Sequence, residues 1–267
     1  MKNKVKFQLS ASFVILIIIV CALFAQYICP YDPYEQDLSI AYQAPSLAHL
    51  MGTDAYGRDM FSRVIIGGQV SVLSTLALVA IISIFGTAVG VICGYFEGKI
   101  DFVVMRLSDL CLAFPGLVFA LAVAAILGGG IVNAIIALAL ISWPKYSRLA
   151  RGLTLSIKES SYIAAAKLAG DNTFQLMVRH IVPNIIGPIL VTATLDIGTM
   201  MMEIAGLSFL GLGAKPPVAE WGSMMSNGRS LLQTYPWVVL SPGVAIFITV
   251  VIFNLFGDRV RDEFDKK

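Results

Sequence analysis

Two carboxylates, Asp196 and Glu203, stand inside a run of apolar residues. With Met200 they are spaced i, i+4, i+7, which places all three on one face of a helix. In a segment long enough to cross a bilayer, a charge at mid-depth costs roughly 2.5 kcal/mol or more, so that face must look into protein or a water-filled path. Two readings follow: a buried polar pair bonded to a neighbouring helix, or side chains lining a translocation path. A carboxylate with thioether neighbours could hold a divalent cation or its chelate briefly, without a tight cage.

The other chemistry-bearing residues point away from catalysis. The string Gly52-Thr53-Asp54-Ala55-Tyr56-Gly57-Arg58-Asp59, with His49 close by, invites a catalytic or metal assignment. The plainer reading is a glycine-turned loop locked by pairs among Asp54, Arg58, Asp59 and Arg63. No Ser/His or His-Glu-x-x-His arrangement occurs, and the two histidines, His49 and His180, fall on opposite sides of the expected topology. No catalytic residue is assigned, and no metal site is firm. Cys21, Cys29, Cys93 and Cys111 lie in or beside apolar runs without ligand spacing, as inert buried thiols do. The chain has no Gly-x-x-x-x-Gly-Lys-Ser/Thr phosphate loop. Gly128-Gly129-Gly130 and Gly211-Leu212-Gly213 read as span-ending turns, so no cofactor is expected in this chain.

The elements that must position these residues are set by composition. Of 267 residues, 57% are hydrophobic and 13% charged, and the mean hydropathy is +0.81. Soluble domains carry about a quarter charged residues, so this is an integral membrane protein. Apolar runs at about 9–29, 70–94, 110–127, 131–149, 185–211 and 238–256 each suffice to cross. Backbone satisfaction in lipid makes them helices, with Pro115, Pro188 and Pro242 as tolerable kinks. The expectation is all-α with six transmembrane helices. The first run is too long for a typical signal core and lacks a clean small-x-small pair, so it reads as a retained anchor. The divisions are 1–29 for the tail and anchor, 30–66 for an extracytoplasmic loop, 67–257 for the transmembrane domain, and 258–267 for a tail. Trp221, Tyr235 and Trp237 suit an outer-interface belt.

Lysine and arginine accumulate on the cytoplasmic side of membrane proteins. On this topology fifteen of the nineteen lie on one side, and only Arg58, Arg63, Lys215 and Arg229 on the other. Both termini and a loop over 150–183 are thereby expected in the cytoplasm, the protein sitting multi-pass in the cell membrane.

That loop holds a helical hairpin. Ser160 or Ser161 can cap a short helix through Ala164, Ala165 and Ala166, which Gly170 ends in the left-handed conformation. Asp171, Asn172 or Thr173 can cap a second helix, with Phe174, Met177, Val178 and Ile181 on one face until Pro183 stops it. Helix–turn–helix also describes DNA-binding modules. Hydrophobic sequence on both sides would bar approach to DNA, so no nucleic acid is expected.

The hairpin resembles the cytoplasmic loop of ABC-importer permeases, Glu-Ala-Ala, three residues, Gly, nine residues, Ile-x-Leu-Pro. Ala165, Ala166, Gly170 and Pro183 match; Ala164 replaces Glu, and His180 and Val182 replace Ile and Leu. Pro30-Tyr31-Asp32-Pro33, the Gly52–Asp59 string, Leu207–Gly213, Ala219–Gly222 and Phe253–Asp258 are similar to the second permease subunit of peptide and nickel importers. The resemblance implies a MetI-like permease fold, a homologous second permease, two ATPase subunits binding ATP and Mg, and an extracytoplasmic binding protein. It implies an ATPase-coupling loop using Ala165, Ala166, Gly170, Phe174, His180 and Pro183. Asp196, Met200 and Glu203 are the candidate translocation path. The Asp-Ile-Gly-x-Met-Met string of the fifth span looks more like nickel-type permeases, so nickel or a metal chelate is the favoured substrate and a di- or oligopeptide the alternative. A secondary transporter or channel working without an ATPase is the competing class. It would need no coupling loop and often shows inverted repeats, which are not detectable here.

Overall fold

A computed structural model describes residues 20–264 of the chain. The expected anchor run therefore lies mostly outside the described residues. Among those described, the only strand-like pairing is one bridge between Thr53 and Asp59. The helices are α1 (Ala25–Ile28), α2 (Met60–Phe96), α3 (Gly98–Ala113), α4 (Gly116–Ile126) and α5 (Ile131–Lys158). They are followed by α6 (Ser161–Leu168), α7 (Thr173–Phe209), α8 (Trp221–Gly228) and α9 (Trp237–Phe264).

Three helices, α2, α7 and α9, are long and apolar enough to cross a membrane. A fourth crossing is available if α3 and α4 count as one broken span, for they meet at 94°. The straight span expected over 110–127 is thus not present. Pro115 disfavours a helical residue before it, and Phe114 is extended at φ −98° and ψ 148°. Helix α5 is 28 residues long, but Asn133, Lys145 and Arg148 make it too polar to qualify on composition. It packs between α2 and α7 with α4 alongside, while Lys145 and Arg148 stay about half exposed.

Close approach of α2 and α5 depends on glycines at i, i+4 and i+8. A methyl group at Gly86 would stand 2.6 Å from the Trp143 carbonyl oxygen. At Gly90 it would meet the Ala150 methyl at 2.8 Å, and at Gly94 the Thr154 Cβ at 2.8 Å. Without a hydrophobic drive in lipid, such small residues let backbones touch and gain dispersion contacts. The same device joins α7 to α9, where a methyl at Gly257 would stand 2.7 Å from Leu195 Cδ2. Leu78, Ile82, Leu138, Tyr146, Ile185 and Ile204 fill the larger core between α2, α5 and α7.

Trp221 does not join an interfacial belt. Its indole is buried in a slot left by Gly67 and Gly68 of α2, and its Nε1–H donates to the Val64 carbonyl at 2.8 Å. Tyr235 and Trp237 are only half-buried. Tyr235 stacks on Tyr42 with centroids 4.2 Å apart, and Trp237 Nε1–H donates to the Thr53 carbonyl at 3.1 Å. These aromatics fasten the loop before α2 to the start of α9.

Candidate functional site

The loop around Gly52–Asp59 is built for rigidity. Asp54 accepts from the backbone N–H of Tyr56 and Arg58 and from Arg58 Nε at 2.7 Å, while Arg63 lies 3.5 Å away. Asp59 caps α2 by accepting from the Ser62 N–H at 2.7 Å and pairs with His49 Nδ1 at 3.0 Å. Arg63 also donates to the Pro33 carbonyl. Every charge in the string is used to fix the loop, as its structural reading required. In the same loop the Ser39 hydroxyl and N–H hold the Asp37 carboxyl below the usual carboxylate range. The glycine runs are turns: Gly128, Gly129, Gly130 and Gly211 all have positive φ, and Gly130 N–H donates to the Leu212 carbonyl.

At the other end of the molecule the hairpin forms through local signals. Helix α6 ends in a Schellman turn, with Gly170 at φ +100°, its N–H on the Lys167 carbonyl and the Asp171 N–H on the Ala166 carbonyl. Asn172 then caps α7 in a reciprocal capping box with Gln175. Ser160 precedes α6 but makes no side-chain cap bond. Asp171 Oδ2 lies 2.7 Å from His180 Nε2, which ties the turn to the first coils of α7.

Pro183 does not stop this helix. Residues 176–181 widen into a π-turn, and the helix continues without a break to Phe209. Widening makes room for a proline ring that an α-turn would exclude, and Asn184 Nδ2 donates to the His180 carbonyl at 2.6 Å. The widened turn also alters which side chains face inward. Leu176 and Ile181 are buried, whereas Phe174 and Val178 are exposed, contrary to the single face expected for Phe174, Met177, Val178 and Ile181. Tyr162, Leu168, Phe174 and Val178 are exposed apolar side chains of this projecting hairpin and Ala165 and Pro183 are exposed too, while Ala166 and His180 are half-buried.

Within the helix bundle, Asp196 is buried and doubly engaged. Lys145 Nζ approaches Oδ1 at 2.5 Å, and the Tyr146 hydroxyl donates to Oδ2 at 2.8 Å. Both partners belong to α5, so Asp196 locks α7 to α5 rather than standing free as a ligand. Met200 is also buried against that core. Glu203 differs: it is half-exposed, with no hydrogen-bond or ion-pair partner among the described residues. No group of three His, Cys, Asp or Glu side chains that could hold a metal occurs among the described residues.

Sequence reasoning missed the link from Asp196 to Lys145 and Tyr146; a lysine late in an apolar run was the available signal. Nor did it indicate the buried Glu220, which caps α8 through the N–H groups of Gly222 and Ser223 and accepts from Ser71 Oγ of α2. Ion pairs also tie α3 to α5. Arg151 pairs with Asp101 at 2.5 Å, and Arg148 with Asp109. Lys158 pairs with Glu97 just before α3.

Comparison with known proteins gives consistent matches. Residues 86–267 match the binding-protein-dependent transport system inner membrane component family, and residues 6–45 match the N-terminal transmembrane domain of oligopeptide transport permease C. The glutathione transport system permease protein GsiD of Escherichia coli O6:K15:H31 is 44% identical over 259 residues, covering 97% of this chain and 85% of that protein. Its counterpart from Pectobacterium atrosepticum is 41% identical, with 97% and 86% covered. The probable D,D-dipeptide transport system permease protein DdpC of Escherichia coli K12 is 41% identical, with 97% and 87% covered. Among solved structures, the inward-facing MetNI methionine ABC transporter aligns at a TM-score of 0.61 and 19% identity, covering 76% of this chain and 97% of that one. That likeness speaks to the fold alone.

Proposed function

The chain belongs to the binding-protein-dependent inner-membrane permease family of ABC importers, and on that premise we propose that it is the translocation subunit of a peptide importer. The observation that carries the substrate class is its identity of 41–44% to glutathione and D,D-dipeptide permeases along 97% of the chain. The nickel reading rested on Asp196, and Asp196 is committed to Lys145 and Tyr146. Small peptides are therefore the better assignment.

As a permease the chain is not an enzyme. ATP and Mg belong on two separate ATPase subunits, a homologous permease completes the path, and an extracytoplasmic binding protein delivers the substrate. The apolar projection formed by Leu168, Phe174 and Val178 is the surface that suits an ATPase, with Gly170 and the Asp171–His180 contact keeping its shape. The excess of lysine and arginine around 150–183 supports a cytoplasmic placement of that surface and of both termini.

The test is uptake by proteoliposomes holding both permeases, both ATPases and the binding protein. Labelled di- and tripeptides are expected to enter in an ATP-dependent way, and labelled nickel is not. Nickel uptake without peptide uptake would overturn the assignment.

A further inference from the structure

Glu203 is the carboxylate of α7 to which the fold gives no hydrogen-bond or ion-pair partner among the described residues. It lies six residues before the helix ends at Phe209, about 9 Å along the axis at 1.5 Å per residue. The other carboxylate of this span, Asp196, is neutralised by Lys145. Both of these charges act on Glu203 electrostatically, but neither bonds to it. Around it the helix surface is open. Thr199 and Met202 are exposed, and a methyl group built at Gly206 would meet nothing within 4 Å. A partly exposed carboxylate within a helix apolar enough to span cannot be left to lipid. The face must border water or another protein.

We propose that Glu203 is the point in the translocation path that takes a cationic group of the substrate, the α-ammonium of a peptide. This rests on the peptide-import reading above. One carboxylate without a second ligating side chain makes a poor metal site, yet it suffices for an ammonium, which is held by charge-assisted hydrogen bonds. The neutral surface around it, the bare backbone of Gly206, the Thr199 hydroxyl and the Met202 thioether, leaves room for varied side chains. It would fix the charged end of a peptide while remaining indifferent to the rest, as a carrier of short peptides needs. The Lys145–Asp196 pair, seven residues and about 10 Å further in, has no net charge and so offers no competing trap for the ammonium.

The experiment compares uptake of a labelled tripeptide with that of its N-acetylated form by the complete reconstituted transporter. The binding protein's affinity for each is measured separately, and uptake is compared at equal saturation. The wild type is expected to favour the free amine. In Glu203→Gln, free-amine uptake is expected to fall at least tenfold and the preference to move toward one, whereas Glu203→Asp keeps the preference at a lower rate. Co-purification of all subunits establishes that each variant assembles. Equal loss for both peptides in an assembled Glu203→Gln transporter, or a preference unchanged by that substitution, would overturn the assignment of Glu203 while leaving peptide import intact. Absence of peptide uptake by the wild type would instead overturn the peptide-import reading, and this inference with it.

Discussion

Asp196 receives a charge from Lys145 and a hydroxyl from Tyr146, and the two contribute unequally. Lys145 is 55% exposed at its side chain, so its attraction is screened and its loss is partly made good by solvent. Tyr146 is fully buried, and removing its acceptor strands a hydroxyl in the core. Asp196→Ala is therefore expected to destabilise the detergent-solubilised subunit by about 2 kcal/mol. Asp196→Asn keeps an acceptor for Tyr146 and should lose about half as much. Thermal unfolding of both beside wild type checks the order, and an unshifted melting point for Asp196→Ala would show that the lock contributes nothing. Residue type and apolar context were enough to flag Asp196 and Glu203 in the sequence. Their different roles were not legible there, because the partner that occupies Asp196 comes from α5, 51 residues earlier, and no local pattern encodes that distance.

The helices themselves repeat this division between local signals and contacts. The Gly170 turn, the Asn172 cap and the glycine-rich span ends all formed where local chemistry placed them. The prolines did not behave alike: Pro115 breaks α3 from α4 at a right angle, while Pro183 is absorbed by a π-turn inside α7. Both lack an amide proton, and what differs is whether neighbouring groups satisfy the freed carbonyls, which is a matter of packing. Glycines give the sharpest test at this scale. Gly90 touches α5, whereas Gly152 lies within α5 facing open space. Gly90→Ala should cost about 1–3 kcal/mol by forcing α2 and α5 apart, and Gly152→Ala should stabilise by about 0.5–1 kcal/mol through helix propensity. Opposite shifts in thermal unfolding are expected from the same chemical change; destabilisation by both would argue against the close α2–α5 contact.

Across the whole molecule, α7 runs as one 37-residue helix from the apolar projection to the level of Glu203. From Phe174 to Glu203 is about 44 Å along its axis. A continuous helix of this length carries displacement at one end to the other more directly than two helices joined by a loop would, which is the arrangement the sequence suggested. The hairpin end is held by the Schellman turn and by Asp171–His180, so a push on Phe174 is expected to move the helix rather than bend the hairpin. Coupling can then be broken without unfolding. At Gly170 the φ of +100° disfavours any side chain by about 1 kcal/mol or more, yet a Cβ there would meet nothing within 4 Å. Gly170→Glu should leave insertion and abundance near wild type, place a charge beside the exposed Leu168 and Phe174, and weaken docking of the ATPase. Phe174→Asp removes the apolar contact directly while leaving the turn untouched, because the residue is 69% exposed. Both variants are expected to lose most peptide-stimulated ATP hydrolysis in the reconstituted transporter, together with uptake. A well-inserted Phe174→Asp subunit that still couples hydrolysis to uptake at the wild-type ratio would mean that the ATPase docks elsewhere and that α7 is not the lever.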